Sequence, residues 1–217
     1  MATHSTTASA NMASASAFER FAGLSAILAG AGSLLYAISF IVLKSAGLSA
    51  LFLMLGGLLT IPVLTGLYAR VREVEPGFAM LALLLGIAGA LGTLLHGGYD
   101  LANVLNPPAV NFNLANLPSS VDPRGLLAFG ITGLGVLAFA WLLGKSGLAR
   151  GLSYLGYLLA VLLIVLYLGR LIILDPKNPL IAVVALVSGF VVNPVWYVWL
   201  GTVLWRGRGS YKNNATH

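Results

Sequence analysis

The stretch GFAMLALLLGIAGALGTLLHGGYDLANVLNPP, residues 77–108, decides how this chain folds. Residues spaced three and four apart along it lie on one helix face. That face carries small residues in its first half and polar residues in its second. Small residues let a neighbouring helix approach closely in lipid, and polar side chains within a membrane turn into the bundle. The stretch therefore predicts a central helix with a polar end. Its face reads Ala79, Ala82, Gly86, Gly89, Thr93, His96, Asp100 and Asn103.

The whole chain has the composition of an integral membrane protein. Of its 217 residues, 59% are hydrophobic and 8% are charged, and the mean hydropathy is +0.93. A soluble surface needs several times that density of charge. The apolar runs reach the ~20 residues that cross the hydrocarbon core as a helix. They predict an all-α polytopic bundle of six transmembrane helices.

The six predicted helices occupy residues 18–205, at about 18–44, 48–71, 77–104, 124–143, 152–174 and 180–205. Residues 1–17, rich in Ser, Thr and Ala, are predicted to be a disordered tail, and residues 206–217 a basic tail. Residues 105–123 form the only long loop. A loop of that length is either functional or disordered, so it either caps the mouth of the bundle or has no fixed structure.

Helices one and five repeat the small-to-polar order of helix three, and the small face of helix one is expected to pack against that of helix three. In helix six, Asn193-Pro194 predicts a kink, because proline leaves the carbonyl four residues earlier without its donor. The aromatic residues of helix six are expected to form a belt at the membrane interface. They are Trp196, Tyr197, Trp199 and Trp205.

The distribution of positive charge predicts the orientation. An even number of helices puts both termini at one end of the bundle, here called the inner end, and that end holds eight of the twelve Lys and Arg residues. The positive-inside rule then places both termini in the cytoplasm. His96, Asp100, the long loop and Arg170 lie at the opposite, outer end. His96 and Arg170 both lie ~30 Å above the inner interface, at 1.5 Å per residue.

These polar residues make up the candidate site. His96 and Asp100, one turn apart, could form a carboxylate-oriented imidazole that shuttles protons or acts as a base, or simply a hydrogen-bonded pair at a wet helix end. Arg170 facing Asp100 would be a structural ion pair or an anion site. The whole candidate pocket is Thr93, His96, Asp100, Asn103, Tyr167 and Arg170.

Catalytic, cofactor and metal sites are not indicated. His96 is the only histidine outside the tails, so one chain cannot assemble a bis-histidine haem or a histidine-rich zinc site. The sequence lacks cysteine, a glycine-rich phosphate loop and a convincing nucleophile. The net charge of +6 does not indicate nucleic acid, because the basic residues lie singly or in pairs at helix ends.

At HGGYDLANVLNPP, residues 96–108, and at GFVVNPVWYVWLG, residues 189–201, the chain resembles small bacterial polytopic membrane proteins known only as a domain of unknown function. The similarity extends over the six-helix region. The resemblance implies a bacterial inner (plasma) membrane protein, and it implies no activity, cofactor or catalytic residue.

The leading functional interpretation is a non-enzymatic protein that binds a lipid or small amphiphile, or serves as an accessory subunit with a membrane-protein partner or a second copy. One alternative is a small-solute transporter with an outer vestibule at His96, Asp100 and Arg170 and a mobile break in helix six. The other is a membrane enzyme with His96 as general base. Transport would need polar residues in the inner half, where the sequence offers few: Thr60, Thr65 and Asn193.

The predicted topology can be tested with single cysteines at Ser119 and Ser210. An impermeant thiol reagent on intact cells should label the cysteine at 119 and leave the one at 210 unlabelled, because the positive-inside rule puts only the long loop outside. The opposite labelling pattern would reverse the orientation.

Overall fold

A computed structural model describes residues 15–107, 125–173 and 178–207. In these residues six helices are long and apolar enough to cross a membrane, which confirms the predicted all-α polytopic bundle. Three helices contain a π-helical segment. Helix one is Ala17–Ala37 continued by π-helical Ile38–Val42, helix two is Ala46–Val71, and helix three is Pro76–Leu105. Helix four is π-helical Leu126–Ile131 continued by Thr132–Ser146, and helix five is Arg150–Ile173. Helix six consists of Pro179–Val187, π-helical Ser188–Val192 and Asn193–Arg206.

The helices form a ring in chain order, and helix six closes the ring by packing against helix one. Helix three packs against helices two and four, so the expectation that it is the central helix is wrong. It is one wall of the ring. Each face of a helix packs against one neighbour, and the short connections before and after helix two place consecutive helices side by side. Helix three therefore lies between helices two and four.

Glycines bring the helix backbones into direct contact on both sides of helix three. A Cβ atom added to Gly57 of helix two would lie 2.5 Å from the backbone nitrogen of Leu94. A Cβ atom added to Gly135 of helix four would lie 2.7 Å from the backbone nitrogen of Gly86. Neither position has room for a side chain, so the small residues of helix three do mark close helix contacts, as the sequence predicts.

The small face of helix one meets helices two and six instead of helix three. A Cβ atom on Gly23 would lie 2.9 Å from the carbonyl oxygen of Gly201 in helix six, and one on Gly66 of helix two would lie 2.7 Å from Ala22 Cβ. The predicted packing of helix one against helix three is therefore wrong, because helix two lies between them.

Helix six changes its winding just before Pro194. The π-helical segment Ser188–Val192 ends two residues before the proline, where the predicted kink would lie. A wider π turn accommodates the proline ring and its missing N–H.

The aromatic residues of helix six do not all form an interfacial belt. Trp196 is fully buried and Tyr197 is 7% exposed, whereas Trp199 and Trp205 are exposed. Trp196 occupies a notch that Gly156 leaves in helix five, since an added Cβ there would lie 3.0 Å from the indole nitrogen. The belt prediction is wrong for Trp196 and Tyr197, because helical spacing turns them inward.

The predicted disordered tail ends earlier than residue 17. Ser16 caps helix one: its hydroxyl oxygen accepts from the Glu19 N–H at 3.1 Å, and its own N–H donates to the Glu19 carboxylate at 2.8 Å. This reciprocal pair is a capping box, which fixes the start of a helix. Residues 1–14, most of the long loop and the tail from residue 208 lie outside the described residues.

The contact between helices three and four gives a test of packing. A Cβ on Gly89 would lie 2.8 Å from the backbone nitrogen and Cα of Thr132, so Gly89→Leu should overpack this contact and cost ~1–3 kcal/mol or more. Leu84 is 61% exposed, and Leu84→Ile on the same helix is the matched control with little effect. Thermal unfolding in detergent compares them. Equal stability of the two variants would mean that the backbones do not touch here.

Candidate functional site

The polar end of helix three contains a histidine and a carboxylate in contact. His96 Nε2 lies 3.4 Å from Asp100 Oδ2, at i and i+4 on one face. The His96 side chain is 13% exposed and that of Asp100 is 39% exposed. The pair is an ion pair when the imidazole is protonated and a hydrogen bond when it is neutral. The Asp100 carboxylate is thus the more exposed of the two groups, and His96 is mostly covered.

The other predicted pocket residues of helix three are half-buried. The Thr93 hydroxyl donates to the Gly89 carbonyl at 2.9 Å, within its own helix. Asn103 is half-buried one turn beyond Asp100. A hydroxyl that donates to a carbonyl of its own helix has its hydrogen bond without a ligand. Thr93 therefore contributes to the shape of the site more than to its hydrogen-bonding capacity.

Helix four packs against both helices that carry the predicted pocket. Gly130, in the π-helical start of helix four, packs against the ring of Tyr167, and an added Cβ there would lie 3.2 Å from that ring. The neighbouring Leu127 packs against Gly92 of helix three. Tyr167 thus contacts helix four, and the side chain of Arg170 lies outside the described residues. The pairing of Asp100 with Arg170 stays a prediction.

An open groove lies between helices two and three, at the depth of His96 and Asp100 but lined by other residues of helix three. It encloses about 530 Å³. Helices two and three touch at its floor, because an added Cβ on Gly97 would lie 2.7 Å from the Ala50 carbonyl oxygen. The groove is lined by Met54, Leu94, Leu95, Gly98 and Tyr99.

The sequence did not predict the polar contact in the middle of the bundle. Thr60 Oγ1 and Tyr197 Oη lie 3.2 Å apart and join helix two to helix six. The Thr60 hydroxyl also lies 2.8 Å from the Gly56 carbonyl oxygen of its own helix, as a donor to it. A buried tyrosine hydroxyl requires such a partner, so this contact fixes the position of helix six in the ring.

A second unpredicted cluster, here called the inner clasp, consists of Glu19, Arg70 and the Leu204 carbonyl. Arg70 Nε donates to Glu19 Oε1 at 2.5 Å, and Arg70 Nη2 donates to the Leu204 carbonyl at 3.3 Å. The clasp joins helices one, two and six at the inner end. Arg70 is 5% exposed, and nothing in its local sequence reveals partners 51 and 134 residues away.

Metal ligands do not cluster in the described part of the chain. No group of three or more His, Cys, Asp or Glu side chains lies there in a geometry that could hold a metal ion. Among the described residues, the outer half of helix three carries the His96–Asp100 pair on one face and lines an apolar groove with another. An apolar groove of this kind can hold the hydrocarbon part of an amphiphilic molecule.

Comparisons with known proteins add no relative. No protein-family model matches the chain, and searches of curated proteins and of solved structures find no match either. The resemblance to bacterial six-helix proteins of unknown function stays a prediction from the sequence. Six helices that are long and apolar enough to cross a membrane are the make-up of a multi-pass integral membrane protein.

Proposed function

We propose that this chain is a non-enzymatic membrane protein that binds a lipid or a small amphiphile in the groove between helices two and three. The observation that carries the proposal is the groove itself, an apolar cleft between helices two and three at the same depth along helix three as the His96–Asp100 pair. An apolar cleft that opens between two membrane-spanning helices suits the hydrocarbon tail of an amphiphile. The groove volume of about 530 Å³ lies within the ~300–1,000 Å³ of small-molecule sites.

The depth of the two parts supports the same occupant. Asp100 lies five residues before the outer end of helix three, and Leu94 lies six residues deeper, which is ~9 Å along the helix axis. A lipid in the outer leaflet holds its head near the interface and its tail toward the bilayer centre. Its head would therefore lie at the level of Asp100 while its tail follows Leu94 and Leu95.

The substitution Gly98→Leu tests the groove. An added Cβ at Gly98 has one neighbour, Met54 Sδ at 3.8 Å, so a leucine extends into the groove without moving a backbone. The probe is a phosphatidylglycerol with a photoreactive diazirine in its acyl chain, added in trace amount to phosphatidylethanolamine–phosphatidylglycerol vesicles containing the protein. In the wild-type protein we expect peptide mass spectrometry to find the label concentrated at residues 94–99. Gly98→Leu should reduce that labelling severalfold.

The matched control is Gly32→Leu on helix one, where an added Cβ has no atom within 4 Å. Both substitutions add the same side chain to a helix at a site with space, and leucine favours a helix more than glycine does. The control should label residues 94–99 as the wild-type protein does. If all three proteins give the same pattern, spread evenly over the lipid-facing helices, the groove holds no preferred molecule.

The predicted partnership of Asp100 with Arg170 is separate from the groove and has its own test. Arg170→Gln should leave a partly buried carboxylate without its cation, whereas adding Asp100→Asn should recover part of the loss. In a double-mutant cycle read by thermal stability in detergent, we expect a coupling of ~0.5–3 kcal/mol. Additive effects would show that the two side chains do not meet.

A further inference from the structure

The inward face of helix six changes from apolar to polar halfway along the helix. Tyr197, Leu200 and Leu204 lie on this face, at successive turns toward the inner end, and are at most 7% exposed. Asn193 occupies the same face one turn further toward the outer end. It is half-buried rather than buried, so the space in front of it is open to molecules the size of water.

Helix two opens at the same level. Thr60 contacts Tyr197, so the residues one turn outward from these two, Gly56 and Asn193, are level with each other. A Cβ atom added to Gly56 would meet no atom within 4 Å. On the side of Thr60, helix two therefore leaves open space at the level of Asn193.

Helix three shows the same change. An added Cβ on Gly57 would lie 2.5 Å from the backbone nitrogen of Leu94, and this contact puts Thr93 level with Gly56. Thr93 is half-buried. Ala90, one turn toward the inner end on the same face, is only 3% exposed.

Helix one is the fourth wall of this open space. An added Cβ on Gly30 would lie 3.0 Å from the carbonyl oxygen of Pro194, so the two helices are aligned at this point. Ser33, one turn outward from Gly30, therefore lies within about one turn of Asn193 along the bundle axis. Ser33 is half-buried, whereas Ala29 on the same face is 3% exposed.

Packed side chains close the bundle on the inner side of this level. The largest fully buried side chains of the described residues all lie between it and the inner end, and they include Trp196, Phe139 and Leu67. The inner half of the ring is thus filled, and the open space ends at the Thr60–Tyr197 contact.

The amide of Asn193 needs a partner at this depth. Asn193 lies at the middle of helix six, which spans Pro179–Arg206, and so at the middle of the membrane. No other described residue makes a hydrogen bond with its side chain. An amide without a partner costs free energy in hydrocarbon, and polar groups at this depth are tolerated where they face water or a polar ligand.

We propose that Ser33, Gly56, Thr93 and Asn193 line a water-filled chamber, here called the mid-membrane chamber, that takes small uncharged polar solutes from the outer end. The amide donates and accepts hydrogen bonds, and the hydroxyls can accept them. The charged pair of helix three lies further out, so the lining itself is neutral. The chamber lies inside the ring and does not depend on the groove between helices two and three.

Single cysteines test the chamber, since the chain contains no native cysteine. The probe is 2-hydroxyethyl methanethiosulfonate, a small uncharged solute that modifies thiolates. A thiol forms a thiolate in water but not in an apolar environment. The protein is held in lipid nanodiscs, where both ends of the bundle meet water, and intact mass follows the adduct over time. We expect rapid modification of Asn193→Cys and of Ser33→Cys.

Two matched controls lie on the same helix as Asn193. Leu200→Cys is on the same face, but Leu200 is fully buried two turns toward the inner end. Val195 is 48% exposed on the lipid-facing side, so Val195→Cys has access without water. Both controls should react at least about tenfold more slowly than Asn193→Cys, because their thiols do not ionise. Melting temperatures show which variants are folded, and Ser33→Cys reports on the chamber independently of Asn193→Cys.

Three results would overturn the proposal. If folded Asn193→Cys and Ser33→Cys react no faster than Val195→Cys, the space holds no water. Modification of Leu200→Cys as fast as that of Asn193→Cys would mean that the chamber has no closed floor. The charged analogue 2-sulfonatoethyl methanethiosulfonate should react more slowly at residue 193, relative to its rate with free cysteine. An equal relative rate would refute the assignment to uncharged solutes.

Discussion

Direct contact between helix backbones at glycine is the constraint on which this bundle depends. In lipid, association of helices gains nothing from expelling water, so it relies on close van der Waals packing. Gly57, Gly97 and Gly135 place the walls of helix three against helices two and four. Gly23 and Gly201 do the same for helices one and six, each occupying the space that a side chain on the other would need. The ring closes because these glycine-containing helix faces have no side chains that would hold the backbones apart.

Polar contacts then distinguish neighbours that packing alone would not. Small residues make a helix face able to pack closely, but they do not specify a partner. The Thr60–Tyr197 contact joins helix six to helix two in the middle of the bundle, and the inner clasp joins both to helix one. A helix packed against the wrong neighbour would leave such a group without its partner, and an unpaired buried charge costs much free energy in hydrocarbon.

The sequence predicted the helices and their buried faces, but not their neighbours. Length and hydropathy are properties of one segment, so six spans could be read from them directly. The line through Gly86 and Gly89 is buried as predicted, because a 3.6-residue period fixes which residues share a face. The same period carries no information on which helix lies opposite. That is why helix one was placed against helix three, and why Arg70 was not expected to meet Glu19.

The two ends of the bundle differ in regularity, and this bears on where a ligand can enter. All three π-helical segments lie in the outer half of their helices, at Ile38–Val42, Leu126–Ile131 and Ser188–Val192. π-helical turns disrupt the regular ladder of hydrogen bonds and are frequent at functional sites. The described inner end instead has a capping box and the inner clasp. The outer half is thus the less regular part of the ring, and the groove between helices two and three lies in it.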